Sequence, residues 1–139
     1  MKSSYSTLMQ SRFFNPAFNS AIFHGPVRIY FSQSHESLAL KIYFTLQQQL
    51  LELMERAKQL HQLHGKNILI MIYPDTEAFQ LSFEGSTQFL NQDGLEEDTI
   101  IGINGPFEDD KLEIIVDSIR GSVLSWAHAN ALQLAPAPI

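Results

Sequence analysis

The hydrophobic pattern changes period along the chain, and each change marks an element. Val27, Ile29 and Phe31 alternate with Arg28, Tyr30 and Ser32, the period of a half-buried strand. Gly25-Pro26 separates this run from Ala21, Ile22 and Phe23, which predicts a hairpin or bent strand. A helical period then takes over from Glu36 to His64, with Ser34 as a candidate N-cap and Gly65 as a candidate C-terminal stop. Leu46, Leu50, Leu53, Ala57 and Leu60 fall on one face, widened by Leu40, Phe44, Leu51 and Met54. Such a helix is ~44 Å long, against ~23 Å for a strand over Asn67–Tyr73, so it overhangs the sheet or meets another element.

Within the strand expected over 67–73, residues 68–73 form a continuous apolar run, as expected of a strand covered on both faces in a parallel sheet. The unit from Val27 to Tyr73 therefore reads as strand, long helix, strand, with the two strands parallel. Pro74-Asp75 turns the chain. Phe79, Leu81 and Phe83 alternate with Gln80, Ser82 and Glu84, which reads as a short strand or extended turn. Residues 91–98 read as an acidic loop, and Thr99–Ile103 as a short strand. Gly105-Pro106 opens a second helix with Glu108, Asp109 and Asp110 in its first turn. Its apolar stripe is Leu112, Ile115, Ile119, Val123 and Trp126, and Gly121 is read as a place for close packing. Residues 1–17 are polar with scattered aromatics and read as a flexible arm; 18–139 read as one α/β domain.

Composition narrows the function classes. A chain of 139 residues with 45% hydrophobic residues and ten Phe can bury one core. No apolar run is long enough to span a membrane, and the chain opens without a secretory signal. The absence of cysteine excludes disulfides and thiolate metal sites and fits a cytoplasmic location. Charge is divided: residues 1–66 hold seven Lys/Arg and three Asp/Glu, whereas residues 75–113 hold eleven acids and only Lys111. The acidic half argues against nucleic acid as a partner and reads as a solvated surface or a dock for a basic partner.

Local chemistry is sparse. His61 and His64 have the spacing to share a metal but lack a third ligand, so no metal site is assigned. Pro74-Asp75 with Asp109-Asp110-Lys111 imitates a magnesium nuclease pattern, but the second element opens a helix. His24, His35 and His128 have no nucleophile arranged beside them. No catalytic residue can be named from the residues alone.

The stretch from Tyr73 to Phe89, with Phe79-Gln-Leu-Ser-Phe-Glu-Gly85 after a buried strand, resembles the first signature of the crotonase (enoyl-CoA hydratase/isomerase) superfamily. It is nearest the diffusible-signal-factor synthase branch. The strand and leucine-rich helix before it, and Ile119–Trp126 after it, are similar to the family's opening layers. The resemblance implies a crotonase-like α/β fold, an acyl-CoA or acyl-carrier thioester as ligand, and no cofactor. It places an oxyanion-stabilising backbone donor at the N–H of Phe83, with Phe79, Leu81, Ser82, Glu84 and Gly85 around the substrate. Ser82 stands where the family has Gly, and Glu84 where it has Asp. The match covers only the family's opening portion, so the second donor and the acid/base carboxylates would lie beyond Ile139. This implies a partial or degenerate member that needs a completing segment. The competing expectation is a non-catalytic interaction module, a homo-oligomer or a partner-protein complex, using helix 36–64 and the acidic segment 75–113.

Overall fold

The computed structural model describes residues 8–24, 27–49, 67–86, 88–95, 98–104 and 111–134. They form a mixed α/β fold around a five-stranded sheet. In chain order the elements are β1 (Ser20–His24), β2 (Val27–Phe31), α1 (Glu36–Gln49), β3 (Ile68–Ile72), α2 (Thr76–Ser82), β4 (Leu90–Leu95), β5 (Asp98–Ile103) and α3 (Leu112–Leu134). The sheet order is β1-β2-β3-β5-β4. β2, β3 and β5 run parallel, while β1 and β4 are antiparallel edges.

The period-2 pattern of β2 sorts its side chains between two cores. Val27, Ile29 and Phe31 join Ile68, Ile70, Ile72, Ile101 and Ile103 under α1 and α3. Tyr30, Leu69, Met71, Tyr73 and Ile100 face the other way, under α2 and residues 8–18. All five residues of β3 are buried, as the unbroken apolar run requires of a central strand covered on both sides. The predicted hairpin around Gly25-Pro26 and the parallel pairing of the strands flanking α1 are both present.

Several expectations need correction. The chain enters α1 through a 3₁₀ turn over Gln33–His35, so Ser34 lies inside that turn and does not cap the helix. α1 buries Leu38, Ala39, Ile42 and Leu46, because that side of the helix packs on β2 and α3. Leu40 and Phe44, read as part of the apolar face, project to the opposite side and remain exposed. The rest of the predicted helix, residues 50–64, lies outside the described residues. Phe79–Phe83 belong to a helix and its cap rather than a strand, since positions 79 and 83 satisfy a helical repeat as well as an alternating one. Residues 91–95, within the stretch that reads as an acidic loop, belong to the edge strand β4 (Leu90–Leu95). Their polar side chains suit a strand paired on one side. Gly121 is exposed, with open space where a Cβ would stand, so it serves no close packing. Of the predicted α3 stripe, Ile115, Ile119, Val123 and Trp126 are buried and Leu112 is partly buried against the same core.

Within the segment read as an arm, Leu8 and Phe13 are almost completely buried. Residues 8–18 close the second core, on the sheet face opposite α1 and α3.

Candidate functional site

The residues singled out by sequence meet at the end of β3. Asp75 N-caps α2: its carboxylate accepts a 2.8 Å hydrogen bond from the Ala78 N–H. The cap starts a short helix that turns Phe79 inward, where it stacks on Phe83 at 5.1 Å and meets Tyr73 edge-on. Phe83 also abuts Tyr73 and Phe13. α2 ends through two left-handed residues, Glu84 (φ 49°) and Gly85 (φ 74°). The Gly85 N–H then reaches back to Gln80 O at 3.0 Å, satisfying a carbonyl of the last turn.

This geometry assigns each predicted site residue a place. The N–H of Phe83 donates to Phe79 O at 2.9 Å, so it is held inside the helix end. Phe79 and Ser82 are buried, Leu81 is 74% exposed and points away from them, and Glu84 and Gly85 are exposed. Phe79, Ser82 and Phe83 are brought together, but as the seat for residues 8–18. Arg12 Nε donates to Ser82 O at 3.0 Å, and Ser82 Oγ donates to Arg12 O at 2.8 Å. The Tyr73 hydroxyl donates to Phe13 O at 2.6 Å. Burial pushes the Tyr73 phenol well above its ordinary range, against smaller opposing pulls from Ser82 and Arg12.

The described acids of the 75–113 segment are largely engaged. Asp75 caps α2, Asp93 pairs with Arg12 at 2.6 Å, and Glu113 pairs with Lys41. Asp98 Oδ1 accepts from both the backbone and side-chain amides of Asn67, tying the start of β5 to that of β3. The acidity therefore does not gather into one free surface among the described residues. His61, His64, Asp109 and Asp110 lie outside them. Among the described residues no group of three His, Asp or Glu could hold a metal, and no helix is long and apolar enough to cross a membrane. The His35 imidazole is shifted below its ordinary pKa by burial.

Among the described residues, open concavities flank the sheet on two sides. One, of about 540 Å³, runs along β1 on the face of the N-terminal segment, between Phe14, Phe18, Phe23, Arg28 and Tyr30. The other, of about 780 Å³, lies between β4–β5 and α3 and is lined by Thr99, Ser118, Ser122, Ser125 and Trp126.

Protein-family models, curated proteins and solved structures give no match to this chain. Sequence reasoning passed over Arg12, Phe14, Phe18 and Arg28. The first three sit in a segment with no periodicity, and Arg28 read only as the polar half of a strand.

Proposed function

We propose that this protein is a non-catalytic interaction module that pairs with a second copy of itself through the outer face of α1. The observation that carries this reading is the exposure of Phe44 at 51% and Leu40 at 37%, opposite the residues that α1 buries. A helix needs only one apolar face to pack on its own sheet. Apart from the contact of the Phe44 ring with Tyr43 at 5.3 Å, this second apolar pair at i and i+4 packs on no core among the described residues and fits a helix-to-helix contact.

The spacing favours a copy of the same chain. An antiparallel crossing of two α1 helices about Ile42 sets Leu40 of one copy against Phe44 of the other, twice over, as an isologous contact requires. It also sets Glu36 against the uncharged Gln48, so no like charges meet. Lys41 is already held by Glu113. Two anchors per copy make a small interface, so the association is transient.

The acyl-thioester reading has less support. It needs the Phe83 N–H directed at a ligand, and that group is committed to Phe79 O. The space around Phe79 and Ser82 is filled by residues 8–18.

Sedimentation equilibrium over a concentration series tests the proposal. The expected result is a monomer–dimer equilibrium that Phe44→Glu abolishes, with an unchanged far-UV spectrum. A strict monomer at the highest soluble concentration, or a dimer indifferent to Phe44→Glu, would overturn it. Saturable binding of a long-chain acyl-CoA would return the thioester reading to first place.

A further inference from the structure

We propose that the groove along β1 is a binding site for a compact aromatic carboxylate, with Arg28 as the carboxylate anchor. This rests on a different face from the self-association surface. β1 pairs with β2 so that Ala21 meets Tyr30 and Phe23 meets Arg28, placing all four on the side away from α1. Residues 8–18 cover the centre of that side and stop short of its edge, leaving a groove of about 540 Å³, within the range of small-molecule sites.

Its walls are aromatic and mutually tilted. Phe23 and Tyr30 meet at 5.9 Å and 67°, and Phe14 and Phe18 at 6.0 Å and 78°. Such faces and edges favour a flat ring, which can offer an edge to one wall and a face to another. The groove is open along its length, which suits a one- or two-ring ligand better than a long acyl chain.

Arg28 supplies the charge. Arg12 and Arg120 each hold a carboxylate, from Asp93 and Asp117. Arg28 has none among the described residues. Its guanidinium lies over the Phe23 ring at 5.1 Å, and its Nε is shielded from water without a hydrogen-bond partner. The Nε–H lacks an acceptor, and a planar carboxylate in the groove can bond the guanidinium edge in the matching fork geometry. The ring that steers the guanidinium also forms the wall on which the ligand body would rest. Asn19 is oriented by the Gln33 N–H, which donates to its Oδ1, and Arg28 is the one charged residue among those lining the groove, so it is the anion's main partner.

The test is an NMR titration of the full-length protein with 2-naphthoate and, separately, with neutral 2-naphthalenemethanol. Naphthoate is expected to shift amides within 18–23 and 28–31 saturably and to bind at least tenfold more tightly than the alcohol. Arg28→Gln is expected to remove that preference while leaving weak binding of both. Arg28→Lys, which keeps charge but loses the fork, is expected to fall between them. Equal binding of the two probes by the wild-type protein overturns the proposal without relying on any variant. So do shifts that cluster away from β1 and β2, or a naphthoate preference that survives in Arg28→Gln.

Discussion

Arg12 and Ser82 bond to each other in both directions across seventy residues of sequence. The Ser82 hydroxyl donates to the Arg12 carbonyl, and the Arg12 Nε donates to the Ser82 carbonyl. Ser82 is nearly sealed from solvent, so the Arg12 carbonyl has little water to fall back on. The exposed Arg12–Asp93 ion pair beside it adds little, because both groups are about half solvated.

Ser82→Ala should therefore lower stability by about 1–2 kcal/mol, the cost of stranding one acceptor, whereas Asp93→Asn should cost about 0.5 kcal/mol or less. Urea titration measures both. Limited trypsinolysis adds a local readout: cleavage after Arg12 should accelerate in Ser82→Ala beyond what its global stability predicts. Equal cleavage of wild type and variant, once corrected for stability, would mean that this pair does not hold the segment.

Two glycines are required for different physical reasons, and alanine substitution separates them. A Cβ on Gly102 would stand 2.2 Å from Cε2 of Phe83, and Phe83 is wedged against Phe79, Tyr73 and Phe13. Gly102→Ala should cost about 1–3 kcal/mol through overpacking, and Phe83→Leu in the same protein should recover part of that. Gly85 has open space around its Cβ position but a φ of 74°. Gly85→Ala should cost about 1–2 kcal/mol through backbone conformation alone, with no rescue by Phe83→Leu. Thermal unfolding of these four variants against wild type and Phe83→Leu alone checks this, and rescue in the Gly85 background would contradict it.

Glu84 holds a left-handed conformation (φ 49°) without being glycine. It is exposed, so its side chain packs on nothing that must be kept. Glu84→Gly should raise stability by about 0.5–1 kcal/mol, relief of the left-handed strain less the added freedom of the unfolded chain. A loss of stability in urea titration would show that the Glu84 side chain makes a contribution in place.

The sheet core was legible because its residues obey simple periods. Val27–Phe31 and Ile68–Ile72 declare themselves by alternation and by a continuous apolar run, and the α3 stripe by its helical spacing. The face of α1 was misread because Leu40 and Phe44 are apolar yet outward, and period alone cannot distinguish a broad core face from two separate faces. α2 was missed because spacing of 79, 81 and 83 contains an i, i+4 pair. The deciding signal is Asp75, which after Pro74 suits a turn but caps the helix. The polar strand β4 had no hydrophobic signal to read, because its order comes from hydrogen bonding to β5. The groove at Arg28 was least visible of all, since it depends on where residues 14 and 18 come to rest against β1.

Tyr73 makes stability sensitive to alkaline pH. Its side chain is wholly enclosed, its hydroxyl donates to Phe13 O, and its ring meets Phe18, Phe79 and Phe83. Burial raises its folded-state pKa above the ordinary 10.0, so the native protein keeps the proton after the unfolded chain has released it. The stabilisation is fully present below pH 10 and is lost as pH rises above it, at about 1.4 kcal/mol per unit for one such group. Tyr73→Phe removes this dependence but also leaves Phe13 O without its donor, at a cost of about 1–2 kcal/mol at neutral pH. Wild type should thus be the more stable protein at pH 8 and lose its advantage as pH climbs beyond 10, with the steeper decline. The remaining tyrosines are common to both proteins and cancel in the difference. Urea titrations at pH 8, 10 and 11 measure it. Parallel declines in the two proteins would show that the phenol is reached by solvent before the fold opens.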